Sequence, residues 1–288
     1  MFLGIVTGVL LLAAPAFQSG DTTFAVDPHG RLRIDNVRGD LRVRTWTRPA
    51  IRVTASREDI EALRIREGGP LVHLEGEQHG EQGDYEITIP ATMALGITGA
   101  SADVDVAGAG GEVSVETVHG DVNVSGGAGI VAVRTTQGDI RVEGARGRVE
   151  ANAASGDIDM DDIEGDIEAE TISGGITLQR IASSSVQASA VSGDVLYDGT
   201  IRDGGRYTLS THSGDVTVGI PRNVNASLSV ATFSGEFETD IPVQLTDTER
   251  GRRFTLTLGS GSARVNVESF SGDVRLKRPG FGPRSENP

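Results

Sequence analysis

No cysteine occurs among the 288 residues, so neither a disulfide framework nor a lipid-bearing cysteine at a processed N-terminus is open to this chain. Aromatic side chains make up only 4%, and Lys277 is the single lysine. A core without aromatics has to be assembled from small and β-branched side chains used many times over, and 39 glycines call for many sharp corners. That is the economy of a repeat protein rather than of a globule. Basic charge is scarce as well: the net charge is -15, and residues 98–200 hold 18 acidic against 5 basic side chains. Such a surface repels phosphate backbones, which argues against nucleic acid as a partner. The Arg-rich start, Arg31 to Arg52, alternates with apolar residues and reads as the solvated face of strands.

The longest apolar run, Phe2 to Ala14, falls short of the about 20 residues that span a bilayer. It ends in Ala14-Pro15-Ala16, an A-x-A-like cleavage site, although no basic residue precedes it. Residues 1–16 are therefore expected to be a signal peptide, with export to the periplasm, the cell surface or the exterior and no membrane span after cleavage.

From Gly111 a glycine recurs every nine residues, through Gly120, Gly129, Gly138, Gly147, Gly156, Gly165 and Gly174. Fixed-period self-similarity marks a solenoid. Units such as Gly138-Asp139-Ile140-Arg141-Val142 and Gly156-Asp157-Ile158-Asp159-Met160 alternate apolar and polar residues, the mark of strands with one buried face. Alternate units differ, because only every second glycine is preceded by the series Thr117, Thr135, Ala153, Thr171, Ala190, Thr211, Thr232 and Ser269. The rung is then about 18 residues, two strands and two corners. Val113, Val115 and Thr117 and their equivalents should point inward from one sheet, and Val122 and Val124, Ile140 and Val142, Ile158 and Met160, Ile176 and Leu178 from the other.

The Ser-Gly-Asp corner continues at Ser192, Ser213, Ser234 and Ser271 with growing spacing, which the opposite corner should absorb, with longer loops or a hairpin excursion at Ile220 to Asn223 and Thr246 to Arg253. Arg38-Gly39-Asp40-Leu41 reads as an isolated earlier copy. Residues 50–97 read as ordinary antiparallel strands, with Trp46 packed among them. The expected organisation is a signal peptide (1–16), an N-terminal β-strand cap (17–101), a β-solenoid (102–278) and a disordered tail (279–288).

The corner Thr211-His212-Ser213-Gly214-Asp215-Val216, the following Gly219-Ile220-Pro221 and the final Ser269-Phe270-Ser271-Gly272-Asp273-Val274 resemble the bacterial putative-adhesin family of unknown function. The resemblance spans roughly residues 22–278. It implies an all-β, two-sided right-handed β-solenoid in the cell envelope, and it supplies no catalytic residues.

Each candidate site competes with a structural role for the same residues. The Ser-Gly-Asp ladder is expected to turn the chain, since glycine accepts positive φ and Asp or Ser can take up corner amides. His119 and His212 stand at different offsets before their glycines, so no Ser/His/Asp nucleophilic set follows. The acidic run Asp157, Asp159, Asp161, Asp162, Glu164, Asp166, Glu168 and Glu170 nearly matches a calcium-loop spacing, but Asp162 stands where the central glycine is required. His73 and His79 with Glu75, Glu77 and Glu81 lack an obvious third ligand for a divalent ion. Pairs such as Glu116 with Arg134 and Arg141 with Asp159 read as ladder salt bridges. The expected site inventory is thus no catalytic, cofactor-binding or metal-ligating residue and no cofactor. The expected function is a non-catalytic envelope or secreted scaffold, adhesin-like, whose partner is a surface protein or glycan. The alternatives are a carbohydrate-active β-helix enzyme, which the near absence of outward aromatics disfavours, and a periplasmic regulatory partner of a membrane protein.

Overall fold

The computed structural model describes residues 19–76, 82–242, 246–247 and 253–280. Within them the repeat folds as an all-β solenoid of parallel strands, two to a rung. Val113–His119 lies on Ala128–Gln137 with Val113, Val115 and Thr117 opposite Val131, Val133 and Thr135. On the second sheet Val122–Gly126 lies on Ile140–Glu143, with Val122 opposite Ile140. The same register continues through Arg146–Ser155 with Ile158–Asp161, Ile167–Ser173 with Ile176–Ile181, Ser185–Ser192 with Val195–Gly199, and Arg206–Ser213 with Val216–Gly219.

Every inward position assigned from the sequence is buried, so like side chains form ladders between the sheets. Volume is balanced across the narrow interior. Ala151, Ala169 and Ala188 on one sheet share their rungs with Met160, Leu178 and Tyr197 on the other. Where the spacing grows, two buried tyrosines anchor the longer turn. The Tyr197 hydroxyl donates to Thr200 O at 2.7 Å and the Tyr207 hydroxyl donates to Ser183 O at 2.7 Å. Burial pushes the phenol of Tyr197 strongly upward in pKa, which keeps it a neutral donor.

Both ends depart from the order expected of a simple winding. At the N-terminal end the copy at Gly39-Asp40 is not isolated. The strand Arg31–Trp46 is a full rung, paired in parallel with Ala94–Ala109 on one side and with Leu71–Glu75 and Gly83–Pro90 on the other. Residues 71–75 and 83–97 therefore correct the antiparallel expectation, and the parallel stack reaches back to residue 31. At this end, among the described residues, the antiparallel pairings are those of Ala50–Ser56 and Arg64–Gly68, which cover the outermost rung, and of Ser19–Ala25, which covers Ala50–Ser56; the open edge would otherwise recruit other strands. A short helix, Arg57–Ala62, joins two of them, and the Ser56 side chain accepts the Asp59 amide at its start. Trp46 packs in this region, its ring nitrogen donating to Ala50 O at 2.7 Å with the Arg48 guanidinium over its face.

The C-terminal end repeats the device. Arg206–Ser213 pairs with Ala263–Ser271, and that strand pairs in turn with Ala226–Thr232, which the antiparallel strand Arg253–Leu258 covers. The copy at Ser213 thus lies on the copy at Ser271 instead of the next one in sequence, and the last rung made is inserted between its two predecessors. Arg275 staples the insertion. Its guanidinium binds Asp215 below it, Asp273 beside it and Glu238 above it. Pro279 and Gly280, assigned to the tail, pack on the body, with the Gly280 amide donating to Asp198 at 2.8 Å. The expected signal segment, residues 1–16, and residues 281–288 lie outside the described residues.

Burial pushes the Asp215 carboxyl up, but the Asp273 amide and the Arg275 guanidinium outweigh it and hold the group below the usual carboxylate range. A carboxylate with a depressed folded-state pKa stabilises fully above its unfolded value, about 4, and less as pH falls through the folded one. Acidification from pH 5 to 2 is therefore expected to loosen the C-terminal rungs. Hydrogen exchange should register this in residues 263–277 of the wild type, and Asp215→Asn should remove that part of the pH dependence.

Candidate functional site

The recurring corner Thr-x-Ser-Gly-Asp supports itself through three of its five residues. The glycines at 138, 156, 174, 193, 214 and 272 have φ between +138° and +154°, and a methyl group on any of them would collide with the carbonyl oxygen of the glycine one rung away. The Asp carboxylate does not cap its own turn but accepts the backbone amide of the next rung. Asp139 N donates to Asp121 Oδ1 at 2.9 Å, Asp157 N to Asp139 at 2.8 Å and Asp215 N to Asp194 at 2.8 Å. The buried Thr hydroxyl fills the remaining need, donating to a glycine carbonyl of the adjacent rung: Thr211 to Gly193 at 2.8 Å, Ser269 to Gly214 at 2.9 Å and Thr232 to Gly272 at 3.0 Å. Among the described residues, the Thr135 hydroxyl alone in this column is buried without a partner.

Gly175 stands where the other rungs carry Asp or, at 236, Glu, and offers no carboxylate to the Asp194 amide. Its backbone has no positive φ, and a side chain there would meet Asp194 O at 3.3 Å, a contact that a few tenths of an ångström of relief removes. Gly175→Asp is expected to raise stability by about 0.5–1.5 kcal/mol, from a restored hydrogen bond and a less flexible unfolded chain. Urea unfolding of the two proteins side by side measures it.

The x position has no such duty, yet it is mostly apolar and mostly exposed. In spatial order the column runs Val118, Thr136, Ala154, Ile172, Val191, His212, Phe270, Phe233. Of the large apolar side chains that are exposed, five lie here, with only Leu71 and Ile130 elsewhere among the described residues. At its C-terminal end the rings stack face to face: His212 on Phe270 with centroids 4.7 Å apart, and Phe270 on Phe233 at 4.8 Å. Phe233 is 70% exposed. This corrects the expectation of almost no outward aromatics. The residues are far apart in the chain, and only the inserted rung brings them together. Along the column, an open groove of about 420 Å³ is lined by Arg134, Asn152, Glu170 and Ser189 together with Thr136, Ala154, Ile172 and Val191 of the column itself.

Other candidates resolve into structural contacts. The acidic run is spread over two rungs and both sheets. Asp157 takes the Gly175 amide at 2.7 Å, Asp159 pairs with Arg141 at 3.0 Å, Asp161 with Arg180 and Glu168 with Arg148 at 2.7 Å. Burial raises the Asp161 carboxyl, against the pull of Arg180. Glu116 and Arg134 lie side by side in register. His73 bonds Asp35 at 2.8 Å, while His79, Glu77 and Glu81 lie outside the described residues. Among the described residues no three His, Asp or Glu side chains converge as metal ligands, and no helix is long and apolar enough to cross a membrane. His119 belongs to the Ser position of its corner and His212 to the aromatic stack, so the two histidines share no site.

Stacked rungs, self-bonding corners and covered ends define the molecule as a capped parallel β-solenoid with one apolar corner. The chain belongs to the Toastrack DUF4097 family, whose model matches residues 31–277. It is similar to solved structures described as putative adhesins from Bacteroides fragilis NCTC 9343 (12% identity, 91% of this chain and 98% of that one, TM-score 0.45) and Parabacteroides distasonis ATCC 8503 (14% identity, 90% and 97%, TM-score 0.43). A third, from the same Parabacteroides strain, is described as a putative lipid binding protein (13% identity, 90% and 96%, TM-score 0.39). No curated protein matches.

Proposed function

We propose that this chain is an exported, non-catalytic interaction rod of the bacterial envelope, adhesin-like in that it works by presenting its side to a partner protein. The observation that carries the reading is the concentration of exposed apolar side chains in one corner column, where the fold itself does not need them. Exposed apolar side chains that are contiguous rather than scattered are the mark of a contact surface. In most corners Thr, Gly and Asp are occupied in holding the rungs together, so the variable x position is free to be selected for contact. The alternation of arginine and carboxylate on the flat faces serves the ladders, and pairs of this exposed kind contribute about 0–1 kcal/mol each.

The test is to fractionate cells, sequence the mature N-terminus, and cross-link the native protein in the envelope. An N-terminus near Phe17 and cross-links that concentrate on the corner column are the expected results. An intact Met1 in the cytoplasm would overturn export, and cross-links confined to other faces would overturn the assignment of the contact surface.

A further inference from the structure

Resting on that reading, the chemistry around the corner column narrows the partner. The stretch Ile172, Val191, His212, Phe270 and Phe233 is continuous, with exposures of 59% at Ile172, 49% at Val191, 46% at Phe270 and 70% at Phe233. It is one side chain wide, and carboxylates line it on both sides. Glu170 and Glu268 stand on the sheet that leads into the corner, two residues before Ile172 and Phe270, and Asp194 and Glu236 stand just past the glycines. None of these four makes an ion pair among the described residues. Arg275, at that end, is already held by Asp215, Asp273 and Glu238. A ligand that matches this surface must offer one apolar stripe with positive charge along both of its margins.

We propose that the corner from Ile172 to Phe233 docks a cationic amphipathic α-helix of a partner protein, laid along the rod axis. Dimensions agree with the chemistry. Successive rungs are about 4.8 Å apart and a helical turn rises about 5.4 Å, so side chains at i, i+3/i+4 and i+7 meet successive members of the column. The four intervals of the ridge span about 19 Å, the length of roughly 13 helical residues. Lysine or arginine flanking the apolar stripe then faces Glu170 and Glu268 on one side and Asp194 and Glu236 on the other. A second copy of this chain would bring its own carboxylates against these, and an anionic lipid surface would be repelled by the same rows.

The probe is a synthetic 14-residue amphipathic helix with leucine at i, i+3, i+4 and i+7 and lysine elsewhere. Its counterpart has glutamate in place of every lysine. Binding to the full chain is followed by fluorescence anisotropy at low and moderate salt. The expected result is binding of the lysine peptide alone. The double substitution Phe233→Ser with Phe270→Ser should weaken it by about tenfold or more, as loss of aromatic anchors does. Glu268→Gln with Glu236→Gln should flatten its salt dependence. Circular dichroism melts of both variants establish that the solenoid is intact, and Val118→Ser, at the far end of the same column, serves as a folded variant that should bind like wild type. Equal binding of the two peptides, or binding indifferent to the phenylalanines, overturns the proposal. So does retention on vesicles of anionic phospholipid, or ridge-dependent self-association in sedimentation, in the absence of peptide binding. After any of these outcomes the corner still stands as the contact surface if envelope cross-links concentrate on it, and that assignment fails as well if the cross-links lie elsewhere.

Discussion

Gly156→Ala is expected to cost about 2–4 kcal/mol, enough to unfold the central rungs at moderate temperature, although it adds a single methyl group to a solvent-facing corner. Two effects combine there. The backbone sits at φ +139°, which an L side chain rarely adopts, and the new Cβ would run into the carbonyl oxygen of Gly138. That oxygen belongs to a backbone held in the ladder, where Gly138 N itself donates to Ser155 O at 3.0 Å, so it cannot yield without disturbing two rungs. Gly144 separates the two effects. It lies at the opposite corner with φ +68°, and a methyl group added there would have nothing within 4 Å, so Gly144→Ala should cost only about 1 kcal/mol, the conformational part alone. The neighbouring rungs already carry Asp162 and Arg180 at that place, with φ of 51° and 50°. Urea denaturation of both variants measures the difference, and equal losses would show that the collision between rungs has been misjudged.

Ile158→Asp against Asp157→Ala makes the second contrast, between neighbours in one strand. Ile158 is wholly buried and stands in register between Ile140 and Ile176. An aspartate there would place an unpaired carboxylate in a dry interior and break the apolar ladder, a cost of several kcal/mol that contacts with only two neighbouring rungs cannot absorb. The rod should unfold or fray from that point. Asp157→Ala removes one exposed acceptor, the partner of the Gly175 amide at 2.7 Å, and should cost about 0.5–1.5 kcal/mol while leaving the fold intact. Circular dichroism melts distinguish the two. A folded Ile158→Asp variant would contradict the assignment of the interior.

The contrast between these residues also shows what is legible in the chain itself. Alternation with period two, interrupted by glycine, tells which side of a strand faces inward, and every strand residue assigned inward from Val113 to Leu178 is buried, while the buried corner residues Ala145 and Ile163 escape it. The motif Thr-x-Ser-Gly-Asp identifies a position within a rung, because it satisfies backbone groups of whichever rung lies next to it. For the same reason it says nothing about which rung that is. Ser213 and Ser234 carry the same motif as Ser271, and reading neighbours in sequence as neighbours in space puts them in the wrong order. The apolar column stays hidden for a related reason. Val191, His212 and the two phenylalanines, Phe233 and Phe270, share only their place before a serine, so no single residue type marks the column. Hydrophobicity at a corner is visible only once the corners are stacked.

Insertion of the last rung between its predecessors changes how the rod can come apart. In a simple winding the end turn peels away first and exposes the next, so loss proceeds one turn at a time. Here the outermost parallel strand, Ala226–Thr232, with its cover Arg253–Leu258, is held by Ala263–Ser271, which is itself held by Arg206–Ser213. Release of the final strand therefore strands the outer rung as well, so loss from the C-terminal strand takes two turns together. At the opposite end, Leu71–Glu75 depends in the same way on Arg31–Trp46, which lies before it in the chain. The molecule behaves as a zipper with a clasp at each end, so a protease meeting a loose terminus finds no sequence of small openings to follow inward.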